Sequence, residues 1–142
     1  AAFVRRFGER GYAMPNLKAV QDSGVLWGLG TDAFEVNQYR PFTTIGWAVT
    51  GRLLGAANGQ LIMKFPISRE DALIAHTRSN AYILNKENDL GSVAPGKLAD
   101  MFIADRDYLT VPLGEIHSLK SVLTIVGGKV VYDAAATTTA TR

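Results

Sequence analysis

Asp32 follows Val25-Leu26-Trp27-Gly28-Leu29-Gly30-Thr31, a nearly continuous apolar run that ends by presenting one carboxylate. Such a run suits a parallel strand covered on both faces better than a half-exposed antiparallel one. In parallel α/β architectures the C-terminal end of a strand carries the chemistry, because the loops leaving it converge on a common mouth. Asp also caps turns, and that reading stays open beside the catalytic one.

The other residues whose types invite chemistry each have a simpler account. His76 falls at the edge of a helix's buried face, where a metal or catalytic role competes with that of a packed, hydrogen-bonded side chain. His117 sits in a loop between two β segments. Asp100 follows Lys97 and precedes a strand, so bracing a turn explains it better than catalysis. Trp47 and Arg52 lie away from the centre of a helical stripe; they either line a mouth above the strand or serve as rim packing and a solvated charge.

What is missing narrows the chemistry further. A hydrolytic metal site needs several nitrogen or oxygen ligands converging on one ion, usually with a histidine pair close in sequence. The chain has 2 histidines, with no H-x-H and no H-E-x-x-H. It has no G-x-G-x-x-G, no phosphate-binding Gly-Lys-Ser/Thr loop and no serine in a nucleophile elbow, and Gly28-Leu29-Gly30 alone is a weak signal. With 0 cysteines, disulfides, thiolate metal sites and cysteine nucleophiles are excluded. On its own residues the chain offers one well-placed carboxylate and not a complete active site.

The elements that must position Asp32 belong to a chain of 142 residues, the size of one ordinary domain. Hydrophobic residues make up 47% and charged residues 20%, with no apolar run long enough to cross a bilayer, so no membrane partner is expected. The net charge is +2 and the basic residues are scattered, which argues against a nucleic-acid footprint. The sequence opens Ala1-Ala2-Phe3, so a natural start, a processed product and a fragment all stay open; any targeting signal would lie upstream of Ala1, and the compartment is undetermined.

Along the chain, Ala2 to Phe7 reads as the end of a helix broken by Gly8 and Gly11. Asn16 is an N-cap for Leu17 to Ser23, with Leu17, Val20 and Gln21 on one face and Gly24 as the left-handed stop. The strand covers about 25–31 and a loop follows to Arg40. Pro41 opens a helix over 41–58, in which Phe42, Ile45, Gly46, Val49, Leu53 and Ala56 form the apolar face and Gly59 is the stop. Gly46, Gly51 and Gly55 each cost roughly 1 kcal/mol there, which close packing against a neighbour would explain. Ser68 with Asp71 resembles a capping box and opens a helix over 69–86 with Leu73, Thr77, Ala81 and Leu84 buried. Gly91 to Lys97 is turn chemistry and Met101 to Ala104 a short strand. Val122 to Val126, Gly127-Gly128 and Lys129 to Tyr132 read as a hairpin with a primed turn. The tail, 135–142, has no periodicity and is expected to be loose. An isolated β/α repeat cannot satisfy a parallel strand on both edges.

Four motifs in this order resemble a known family. They are Val25-Leu26-Trp27-Gly28-Leu29-Gly30-Thr31-Asp32, Ser68-Arg69-Glu70-Asp71-Ala72-Leu73, the turn Gly91-Ser92-Val93-Ala94-Pro95-Gly96-Lys97-Leu98-Ala99-Asp100, and Thr124-Ile125-Val126-Gly127-Gly128-Lys129-Val130-Val131-Tyr132. Together they resemble the C-terminal part of the amidohydrolase superfamily, in its YtcJ-like (amidohydrolase family 3) branch, from about Asn16 to Asp133. The resemblance implies an α/β fold: the end of a metal-dependent (β/α)8 barrel over 1–87 and, over 88–134, the C-terminal share of a small β-sandwich built from both ends of the full chain. It implies that Asp32 binds the metal, most often zinc in such sites, and takes a proton from the attacking water. The family's remaining ligands, mostly histidines from earlier strands, have no counterpart here.

Two functions follow as expectations. In the first, the chain is part of a metal-dependent hydrolase that cleaves C–N bonds of small amide-like substrates, with Asp32 as ligand and general base, and is inactive alone. In the second, it is a non-catalytic assembly module that pairs with the missing N-terminal part or with copies of itself through unpaired strand edges.

Overall fold

In the computed structural model, which describes residues 2–32, 39–53 and 59–139, helix α1 (Ala2–Phe7) continues into a 3-10 helix at Gly8–Ala13 instead of stopping at Gly8. Helix α2 (Leu17–Asp22) is capped as expected: Asn16 Oδ1 accepts the Ala19 N–H at 2.9 Å, and Gly24 leaves at φ 72°. Leu17 is buried and Gln21 half-buried, whereas Val20 faces solvent.

The strand expected over 25–31 is not formed, since residues 25–30 join no ladder among the described residues. A parallel strand needs a strand on each side for its donors and acceptors. Among the described residues, the bonds at Leu29 go to helices later in the chain, its N–H to Ala75 O and its carbonyl to Asn80 Nδ2.

Helix α3 (Pro41–Thr50) starts with proline in its first turn but stops well short of Gly59. Gly51 takes φ 65° and donates its N–H to Trp47 O at 2.8 Å, a left-handed cap that ends the helix. A Cβ on Gly51 would stand 2.0 Å from Met63 O, so this glycine also permits a close backbone approach. Ile45, Ala48 and Val49 are buried and Leu53 is exposed; Gly55 and Ala56 lie outside the described residues. Gly46 behaves as expected of a packing glycine, for a Cβ there would meet His117 N and Cβ at 3.2 Å.

The single helix expected over 69–86 is two, α4 (Arg69–His76) and α5 (Arg78–Ile83). Ser68 Oγ accepts the Asp71 N–H at 3.0 Å and donates to Asp71 Oδ2 at 2.8 Å. The break comes at Thr77, whose hydroxyl donates to Leu73 O at 2.7 Å and leaves its own N–H to Ile74 O at 3.2 Å. This hydroxyl competes with the helical bond for the same carbonyl. The buried stripe shifts accordingly: Ala72, Ala75 and Ala81 are inside, while Leu84 is exposed.

Strands β1 (Met101–Ala104), β2 (Ser121–Val126) and β3 (Lys129–Asp133) form an antiparallel sheet in that order. Gly127 and Gly128, at φ 56° and 77°, make the primed turn. Where a loose tail was expected, Ala134–Thr139 form helix α6, opened by Asp133 Oδ1 accepting the Ala135 N–H at 2.9 Å; residues 140–142 lie outside the described residues. No helix among the described residues is long and apolar enough to cross a membrane.

One core joins residues far apart in sequence, among them Leu17, Leu29, Ile45, Met63, Ile67 and Ile116. Ile116 comes from a 3-10 helix, Leu113–Ser118, that packs on α3. Beside it, Arg69 donates from its guanidinium to Tyr108 O at 2.8 Å, and the Tyr108 hydroxyl donates back to Arg69 O. Phe42 covers the Tyr108 ring at 6.1 Å. Burial pushes the phenol up to about 12, with Arg69 opposing and Glu70 adding to the rise. His76 ends α4 half-buried, its Nε2 enclosed with no hydrogen-bond partner among the described residues. Burial holds its pKa below the ordinary 6.5, partly offset by a backbone hydrogen bond.

Tyr108→Phe removes the hydroxyl and its hydrogen bond to the Arg69 carbonyl, so it should lower unfolding free energy by about 0.5–1.5 kcal/mol in urea titrations; an unchanged midpoint would mean that the bond contributes nothing net. For His76 the unfolded chain takes a proton first as pH drops below the ordinary 6.5. Its contribution to stability is therefore complete above that pH and is lost toward the folded-state value, at no more than about 1.4 kcal/mol per pH unit. Replacing it, as His76→Gln, should flatten the decline of the urea midpoint as the pH falls below the ordinary 6.5.

Candidate functional site

Asp32 is exposed and adopts φ 51°, a left-handed backbone that few residues other than glycine accept and that Asp and Asn tolerate best. Its position is set by the residues just before it. Leu29, 8% exposed, is anchored in the core. Its N–H donates to Ala75 O at 3.1 Å, and its carbonyl accepts from Asn80 Nδ2 at 2.9 Å. Gly28 makes room for that side chain, because a Cβ there would lie 1.9 Å from Asn80 Oδ1. Asn80 was not among the sequence candidates. The available signal was the glycine inside an apolar run, which marks close approach by another group.

A second tie holds the start of the segment. Trp27 Nε1–H donates to Gln21 Oε1 at 2.8 Å, and Gln21 Nε2 donates to Asp71 Oδ1 at 3.2 Å. The Asp71 carboxylate, which also accepts the hydroxyl of the α4 cap Ser68, thus orients the apolar run. On the far side of Leu26 opens a cleft of about 430 Å³, lined by Ile74, Arg78, Tyr82, Glu87 and Lys97, and Asp32 takes no part in its lining. Lys97 Nζ is occupied there by the Glu87 and Leu90 carbonyls.

The remaining candidates are dispersed. Asp100 braces the hairpin, its Oδ1 accepting the Gly127 N–H at 2.6 Å. Arg52 donates to Gly59 O at 2.9 Å and its backbone bridges to Leu61, while Trp47 packs against the core. His117 is exposed on its 3-10 helix, and His76 is enclosed at the end of α4. Among the described residues, no group of three His, Cys, Asp or Glu side chains could hold a metal ion. Among the described residues, Asp32 therefore stands as an exposed carboxylate outside any such group.

The N-substituted formamide deformylase of Arthrobacter pascens is 26% identical over 117 residues, covering 82% of this chain and 21% of that protein. An amidohydrolase from Thermotoga maritima MSB8 superposes with a TM-score of 0.59 at 20% identity, over 80% of this chain and 24% of that one. The chain thus spans about a fifth to a quarter of the length of these relatives. The sequence model described as the amidohydrolase family matches residues 2–132, nearly the whole length, and the chain belongs to that family.

Proposed function

We propose that this chain is the part of a longer hydrolase that supplies Asp32 to the hydrolysis of a C–N bond in a small amide-like substrate. The observation that carries the reading is a carboxylate held on an uncommon left-handed backbone at the end of a core-anchored segment, in a chain of the amidohydrolase family. A relative named for removing formyl groups from N-substituted formamides supports the amide class. In the proposed step a water oxygen attacks the substrate carbonyl carbon while Asp32 takes its proton. The C–N bond then breaks as that proton passes to the departing nitrogen, leaving a carboxylic acid and an amine. Dependence on a divalent metal, zinc in this reading, belongs to the full-length enzyme, with Asp32 as this chain's contribution to its ligands. The same proposal reads 1–87 as the end of a (β/α)8 barrel and 88–134 as part of a β-sandwich.

A second reading, assembly through the sheet, draws on apolar side chains left uncovered. Met101, Ile103, Leu123, Ile125 and Val130 share one face by register, with Ile103 and Val130 more than half exposed. Faces of this kind mark contact surfaces.

Asp32→Asn in the full-length enzyme tests the first reading cleanly, because Asn tolerates the same backbone. It should lower kcat by about 10²-fold or more on an N-substituted formamide while leaving the circular dichroism spectrum unchanged; wild-type turnover would remove Asp32 from the mechanism. For the second, sedimentation of the 142-residue chain should give a dimer or larger species, and a well-folded monomer would count against it.

A further inference from the structure

We infer that Asn80 is a positioning residue for Asp32, acting through the backbone at Gly28 and Leu29; this rests on the reading of Asp32 as the group that handles the water's proton. The segment ending at Asp32 is anchored through Leu29, a core residue. Leu29 uses both main-chain groups for this purpose, the N–H to Ala75 O at 3.1 Å and the carbonyl to Asn80 Nδ2 at 2.9 Å.

The Asn80 carboxamide is itself confined from both ends. Nδ2 also lies 3.4 Å from His76 O, and Oδ1 occupies the space where a side chain on residue 28 would begin, 1.9 Å from an ideal Cβ. A hydrogen bond and a steric fit therefore fix one short stretch of backbone from the same side chain. The bond spans 51 residues, so it transmits the placement of α5 to the Asp32 segment. Rotation of the Gly28–Leu29 peptides would carry the following residues with it, and a displacement of about 1 Å at a reacting group costs up to about 10²-fold in rate.

The test is steady-state kinetics of the full-length enzyme on an N-substituted formamide, or on the amide it turns over fastest, with Asn80→Ala, Asn80→Asp, Gly28→Ala and the double variant Gly28→Ala/Asn80→Ala. Asn80→Ala should lower kcat by about tenfold or more with KM within about threefold, since orientation and not binding is lost. Asn80→Asp keeps the shape and loses the donor, so it should show the same split even if the alanine variant folds poorly. Gly28→Ala should also lower kcat, by driving Asn80 off Leu29. Added to Asn80→Ala it should cost little more, because the clash has gone. Wild-type kcat in a folded Asn80→Asp enzyme, or additive Gly28 and Asn80 effects, would overturn the positioning role. Asp32→Asn is measured alongside: its inactivity together with unaffected Asn80 variants overturns this inference alone, whereas its full activity overturns the underlying reading as well.

Discussion

Two hydrogen bonds exchanged between Arg69 and Tyr108 tie the first turn of α4 to the segment that leads from β1 into the 3-10 helix Leu113–Ser118. The contact is made inside an apolar setting, with Tyr108 in the core and Phe42 against its ring. A buried phenol needs a partner for its hydroxyl, and a main-chain carbonyl provides it without a second charge. This seam fixes how α4 lies against the rest of the core. Among the described residues, the hydrogen bonds that hold the run before Asp32 reach α4 and α5 at the Asp71 carboxylate, through Gln21 of α2, at the Ala75 carbonyl and at the Asn80 side chain.

The Asp32 segment shows how a stretch rich in strand-forming residues behaves when its hydrogen-bonding neighbours are helices. Its apolar side chains still enter the core, as at Leu29 and Trp27, but its peptide groups are satisfied by a carbonyl at the end of a helix turn and by a carboxamide. The sheet follows the opposite pattern, with antiparallel ladders between its strands, each interrupted by one register shift, and apolar side chains such as Ile103 and Val130 open to solvent.

Short-range chemistry was legible in the residues. Asn16 and Ser68 cap their helices and Gly127-Gly128 turns the hairpin, as their types and spacing imply, whereas the turn that Asp100 braces lies 27 residues on, a partner its own neighbours do not indicate. Family membership was legible too, because four motifs in order carry more information than any one of them. Less legible were the helix ends. Gly51 stops α3 because its backbone meets Met63, and Thr77 splits the next helix because its hydroxyl takes a carbonyl that the helix would otherwise use.

The sequence by itself determined which carboxylate stands out, which residues turn and cap the chain, and to what family it belongs, since each of these is decided by neighbours within a few positions or by an ordered set of motifs. Only the tertiary structure decided what holds that carboxylate in place. Asn80 and Gly28 meet across a long loop of chain, and neither residue type announces the contact. A hydrogen bond combined with a missing side chain is a property of two backbones brought together, and no local propensity encodes it.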